Sequence, residues 1–260
     1  MSLKRIIVGC CGFPVARSRY FSEFKLVELQ NTFYNLPTEE EATRLRNSIP
    51  PNAIITMKAW QVLTHPPSSP TWRKMKRKPN GNLENYGFLR PTKENLEAWS
   101  ETLRIAQILN ARAIILQTPP SFRFSEEATK NVVEFFTAVL STTPKDLLIC
   151  WEPRGDWNTH PEALQKVLEL GIIHVTDILK ADPLPNSKGV LYTRLHGLGN
   201  KEVNYKYKYT DNDLSILIRK ILDRKEEILE AYVLFNNVHM FEDAKRFRER
   251  LRAVFHGEII

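Results

Sequence analysis

VLYTRLHG, residues 190–197, starts as an apolar strand and finishes as something else. Tyr192, Arg194 and His196 fall two apart, so an extended chain turns all three to one face. An arginine and a histidine at the end of an otherwise apolar face suit a strand whose C-terminal end opens into a site, with acids from neighbouring strands to satisfy them.

The same design recurs along the chain. RIIVGC (5–10), KLVELQ (25–30), AIITMK (53–58), RAIILQ (112–117), DLLICWE (146–152), IIHVTD (172–177) and YVLFNN (232–237) join VLYTRLH as eight short runs rich in Ile, Val and Leu. They alternate with longer segments of helical period, the signal of parallel strands with helical crossovers. Eight units predict an α/β fold, a (β/α)8 TIM barrel, and 260 residues suit one such domain spanning 1–260. Helix starts are signalled by Thr38 before Glu39, Glu40 and Glu41, by Ser125 before Glu126 and Glu127, and by Thr159 ahead of Pro161. Thr210 or Asp211 opens a further helix running toward Glu230. Two departures make the barrel irregular. Residues 59–90 form a long, basic, proline-rich insertion after strand 3, and ILKADPLPNSKG (178–189) is too short and proline-broken for a full sixth crossover helix.

In this architecture the strands' C-terminal ends build the site. The polar residues there are Glu28, Lys58, Gln117, Glu152, Asp177, Arg194, His196 and Asn236, with Arg154 and Asn237 close by. Glu152, Asp177 and His196 are the candidate catalytic groups: two carboxyls for acid/base work and an imidazole to shuttle protons. Each also has a structural reading, a rim salt bridge for the acids and a satisfied buried ring for the histidine. Glu28, Lys58, Gln117, Arg154, Arg194, Asn236 and Asn237 are the candidate substrate-binding residues. Lys58 either neutralises an anion or pairs with Glu28, and the asparagines either orient a ligand or cap a turn. His65, in LTHPP, reads as a loop anchor.

Charge and cysteines narrow the partners. Lys and Arg number 37 against 30 Asp and Glu, a net charge of +7 that favours anions. TWRKMKRKPNGN (71–82) sets Arg73, Lys74, Lys76, Arg77 and Lys78 beside Trp72, either a mobile basic lid, a strip that tracks a nucleic-acid backbone, or a solvated loop. Three cysteines, Cys10, Cys11 and Cys150, are too few for a zinc cage and point to free thiols in a cytoplasmic protein. No apolar run reaches membrane-spanning length and no secretory leader is expected. No cofactor is expected; a divalent metal on Glu28, Glu152, Asp177 and His196 is the remaining option, although no H-E-x-x-H spacing supports it.

Seven stretches in one order, GCCGF (9–13), VELQNTFYNLP (27–37), KAWQVLTH (58–65), QTPPSFRF (117–124), WEPRGDW (151–157), YTRLHG (192–197) and YVLFNN (232–237), resemble the YecE-like family, domain of unknown function 72. The resemblance implies a TIM barrel and no settled activity. It departs from the family at Cys10, Cys11 and Phe13, where Thr, Ser and Trp are usual, and at Pro153 and Gly155, where the family's acidic motif has Phe and His. The functional expectation is an enzyme acting on a phosphorylated or otherwise anionic substrate by acid/base chemistry; the alternative is a nucleic-acid binder, nuclease-like or not, using the basic insertion.

Overall fold

The computed structural model describes residues 1–260 and shows eight parallel strands that alternate with helices and close into a TIM barrel. Each apolar run quoted above is a strand, with ends displaced by no more than a few residues. The chain divides into two compact units, residues 1–28, 50–54 and 173–260 in one and residues 29–49 and 55–172 in the other.

The first unit holds β1 (Arg5–Cys11), α1 (Arg17–Glu23), β2 (Leu26–Leu29, through Glu28), β6 (Ile173–Thr176), β7 (Val190–Leu195), α7 (Asp211–Leu222), β8 (Glu230–Phe235), α8 (Met240–Arg252) and a short β9 (Glu258–Ile259). Register pairs Tyr192 with Tyr232 and Arg194 with Leu234, and Cys11 with Glu28. β9 pairs with Arg5 and Ile6, the stretch of β1 that precedes its pairing with β2 at Gly9–Cys11. The link from β6 to β7 has no helix, as the prolines predict. It is tied instead by Leu184 N–H donating to His174 Nδ1 (3.1 Å) and by the Asn186 amide donating to Val190 O (2.8 Å). α7 opens on a reciprocal capping box between Thr210 and Asp213 and ends at Leu222, short of the expected run toward Glu230; turns fill the gap.

The second unit holds α2 (Asn31–Tyr34), α3 (Glu39–Asn47), β3 (Ile54–Lys58, from Ile55), α4 (Lys93–Ile108), β4 (Ala111–Gln117), α5 (Glu126–Thr142), β5 (Leu148–Glu152) and α6 (Pro161–Leu168). Gln117 sits opposite Glu152, and Ile115 opposite both Lys58 and Cys150, so these polar ends share one face as strand parity predicts. Ser125 caps α5 by accepting from Ala128 N–H, and Val132, Phe135, Phe136 and Val139 form its buried stripe. At α6 the expected cap is displaced: His160 precedes Pro161, while the Thr159 hydroxyl donates to Asp156 O (2.6 Å).

The insertion at 59–90 is bonded to the rest of its unit through Asn35. It contains three short 3-10 turns, and Asn35 holds it with both ends of its amide, accepting from Lys76 N–H (2.6 Å) and donating to Lys74 O (3.2 Å). Trp72 donates to His65 O (3.0 Å).

Candidate functional site

In the first unit, β7 turns Tyr192 and Arg194 to one acid, Glu28, while His196 lies past the strand's end. Arg194 Nη2 lies 2.8 Å from Glu28 Oε1, with both side chains at 1% exposure or less. Tyr192, two residues earlier on the same face, donates to Glu28 Oε2 (2.8 Å), and its ring stacks on Tyr232 at 5.5 Å. Glu28 thus receives charge-assisted bonds on both oxygens, the condition for burying such a pair. Cys11, beside Glu28 in register, has its thiol pushed well above the ordinary range, by burial first and by the Glu28 charge second. Burial likewise raises the Cys10 thiol to about 12. Both are neutral thiols with no nucleophilic character at physiological pH.

Asp177 and His196 meet across the ends of β6 and β7. Asp177 Oδ2 accepts the backbone N–H of His196 (3.1 Å) and Oδ1 that of Leu179 (3.1 Å), an arrangement that orders the loop. His196 Nδ1 is 2.8 Å from Arg194 O; a carbonyl only accepts, so Nδ1 carries the proton and the lone pair of the neutral ring is on Nε2. The next residue must be glycine: Gly197 has φ +80°, and a Cβ there would sit 2.1 Å from Asn204 O. Asn237 serves the fold, its amide donating to Tyr207 O (2.7 Å) and Asp243 Oδ2 (2.8 Å), while Asn236 is half-buried just past β8.

The second unit brings a different set together. Lys58 at the end of β3 donates to Gln117 Oε1 (3.0 Å) at the end of β4, and its ammonium stands 4.0 Å from the centre of the Phe33 ring. Thr32 fixes the backbone below by donating to Lys58 O (2.7 Å). At the end of β5, Arg154 aims Nε (3.2 Å) and Nη2 (2.8 Å) at one oxygen of Glu152, and both residues are buried. His65 is buried at 6% exposure, its ring edge-on to Phe33 at 4.9 Å and its Nδ1 bonded to the Thr64 hydroxyl (2.8 Å). Burial and the charges of Lys58 and Arg154 lower its pKa to about 3, so the ring is neutral. The LTHPP stretch marks His65 as a loop anchor, and His65 O does accept from Trp72; its ring contact with Phe33, 32 positions away, has no local signal.

The basic run is split. Lys74 lies over Tyr34 (4.9 Å) and Arg77 over Trp60 (5.2 Å), with Arg77 also paired to Glu101 (2.6 Å); Arg73, Lys76 and Lys78 face solvent and Trp72 is half-buried. No group of three His, Cys, Asp or Glu side chains is placed to hold a metal ion, and no helix is long and apolar enough to cross a membrane.

Residues 16–258 match a family described as "Protein of unknown function DUF72". A DUF72 family protein from Enterococcus faecalis is 19% identical and superposes with a TM-score of 0.68, covering 97% of this chain and 99% of that one. One from Thermotoga maritima is 20% identical with a TM-score of 0.65, over 95% and 99%. Endonuclease IV from Thermus thermophilus is 11% identical with a TM-score of 0.53, over 96% and 98%. At such identities the likeness is one of fold. No curated protein matches the chain.

Proposed function

We propose that this chain, which belongs to the DUF72 family of proteins of unknown function, is an enzyme that binds a phosphorylated or otherwise anionic small molecule at the C-terminal ends of β3, β4 and β5. The observation that carries this reading is a pair of buried cations at strand ends, Lys58 bonded to Gln117 and Arg154 bonded to Glu152. Cations held out of water in this way suit an anion, and their charges add to the burial that lowers the His65 pKa to about 3. Lys58 supplies a point charge steadied by Gln117 and Phe33, and Arg154 a planar fork suited to carboxylate or phosphate oxygens.

Glu152 is the acid/base group of this reading. It accepts from Arg154, so an anion that draws the guanidinium away leaves the carboxylate more basic at the moment of binding. Asp177 keeps its two backbone bonds and orders a loop, and His196, fixed as the Nδ1–H tautomer, is tested as a proton carrier by His196→Gln. Three cysteines outside any disulfide fit a cytoplasmic enzyme.

Thermal shift of wild type, Lys58→Met and Glu152→Gln against inorganic phosphate, phosphorylated metabolites and short oligonucleotides, at low and moderate salt, tests the assignment. Small phosphorylated compounds are expected to stabilise wild type and Glu152→Gln but not Lys58→Met, with turnover of any hit lost in Glu152→Gln. A second reading, nucleic-acid binding along Arg73, Lys76 and Lys78, is favoured by their exposure on a segment held firmly by Asn35. Stabilisation by oligonucleotides alone, lost with salt and indifferent to Lys58, would replace the first reading with this one.

A further inference from the structure

NTFYN, residues 31–35, is laced to two other stretches of the second unit. Thr32 donates to Lys58 O (2.7 Å), and the Gln61 amide donates to Tyr34 O (3.3 Å), which fixes the segment to the end of β3. Asn35 takes hold of the insertion at Lys74 O and at Lys76 N–H. Between these anchors lie two rings, and each carries a lysine. The Lys58 ammonium is 4.0 Å from the centre of Phe33, the Lys74 ammonium is 4.9 Å from the centre of Tyr34, and the rings meet edge to face at 5.0 Å. α2 follows the end of β2 and Lys58 closes β3, so both cations belong to the end of the strands where this architecture builds its site.

The two lysines differ in exposure. Lys58 is buried and bonded to Gln117, whereas Lys74 is exposed and makes no ion pair. Arg77, three residues on and also laid on a ring, has an acid of its own in Glu101 (2.6 Å). An ordinary surface lysine gives up many rotamers when it takes a ligand. Lys74 has its backbone carbonyl fixed by Asn35 and its ammonium drawn to Tyr34, so it gives up fewer. The contacts that lead from Lys58 through Phe33 and Tyr34 to Lys74, even laid end to end, are within the span of a short phosphorylated chain with a hydrogen bond at each end.

We propose that Lys74 is the second cation of the anion site, and that the substrate is a small molecule with two anionic groups: a phosphate held by Lys58 at the buried end, and a second phosphate or a carboxylate held by Lys74 at the surface. This rests on the anion-binding reading above. One charge-assisted hydrogen bond at an open position corresponds to roughly tenfold in affinity.

Calorimetric titration of the full chain with inorganic phosphate, fructose 6-phosphate, fructose 1,6-bisphosphate and 3-phosphoglycerate tests it, at one moderate salt concentration because an exposed charge is screened. The chains compared are wild type, Lys74→Met, which keeps an apolar stem for Tyr34 without the charge, Lys74→Arg, which keeps the charge, and Lys145→Met. Lys145, exposed in the turn before β5, controls for net charge. At least one two-anion compound is expected to bind wild type roughly tenfold tighter than fructose 6-phosphate. A gain by the bisphosphate alone identifies a second phosphate, and by 3-phosphoglycerate alone a carboxylate. In Lys74→Met the ratio should fall to within about twofold, and in Lys74→Arg and Lys145→Met it should persist. Equal binding of one- and two-anion compounds by wild type, a ratio that survives Lys74→Met, or an equal fall in Lys145→Met overturns the role of Lys74 and leaves the anion site standing. No binding by any of the probes overturns both.

Discussion

His65 makes the electrostatics of the second unit measurable without knowing a ligand. Its pKa is about 3 in the folded chain, because of burial and the Lys58 and Arg154 charges, against an ordinary value of 6.5. A group depressed on folding contributes stability that is fully present above 6.5 and is lost as pH falls, because the unfolded chain takes up a proton that the folded chain refuses. Integrating one site from pH 7.5 to 5 gives about 2 kcal/mol of lost stability. With an unfolding entropy near 2.1 cal/mol/K per residue over 260 residues, that is about 4 °C in Tm. The window lies above the titration of carboxylates that folding depresses further, such as Asp182, held down by its bond to Lys220. Melting temperatures of wild type and His65→Gln at half-unit steps from pH 7.5 to 5 read the effect as a difference of slopes. Wild type should lose about 4 °C more than the variant across that range. The variant's lower stability at pH 7.5, from the lost Thr64 bond and Phe33 contact, does not enter the slope. Parallel slopes would mean that His65 titrates normally when folded, and the burial of its ring, the largest cause of the depression, would be contradicted.

Three further outcomes follow from the geometry. Arg194→Met removes the guanidinium from a fully buried Glu28 and should cost about 3–5 kcal/mol, while Tyr192→Phe, losing one hydroxyl bond to the same carboxylate, should cost about 1.5–3 kcal/mol; a melting loss under about 1 °C in the arginine variant would contradict the pair's burial. Cys10 and Cys11, their pKa raised by burial to about 12 and well above the thiol range respectively, should resist iodoacetamide at about pH 8 until the chain is unfolded, as mass spectrometry of the labelled peptides would record. Thr210→Ala breaks the α7 capping box and should cost about 1 kcal/mol, whereas Thr159→Ala, at a residue that caps nothing, should cost less; equal losses in chemical denaturation would be inconsistent with the placement of the α6 cap.

What could be read from the sequence followed from short-range periodicity. The apolar runs became strands because burying both faces of a parallel sheet needs continuous Ile, Val and Leu, and their parity carried Tyr192 and Arg194 to one face as surely as it placed Lys58, Gln117 and Glu152. The partners were less legible. Glu28 meets Tyr192 from 164 positions away, and no local pattern encodes that distance. Composition leaves the insertion open between lid, nucleic-acid strip and solvated loop, and the bonds that Asn35 and Asn95 make to it come from outside the segment, where its own sequence carries no sign of them. β9 is two residues long and exists because β1 offers it an edge. The left-handed backbone of Phe88 had no signal beyond the preceding glycine, since the carbonyls of 62–64 impose it.

The two buried polar groupings answer to different physics, and that difference bears on which one meets a ligand. Glu28 and Arg194 are almost wholly shut from solvent and bonded to each other and to Tyr192; opening them to a ligand would first have to break a pair whose burial already cost desolvation. Lys58 and Arg154 keep about 8% of their surface exposed, and His65 is held neutral by its own burial first and by their charges second. Water solvates such cations poorly, so an anion arriving there loses less to desolvation of its partners than it would on an open surface. The same low dielectric that holds His65 neutral strengthens every contact the anion makes. On the anion-binding reading, the lysine seated on Phe33 and bonded to Gln117 is the preorganised part of the receptor, and Arg154, which exchanges Glu152 for the anion, is the part that responds.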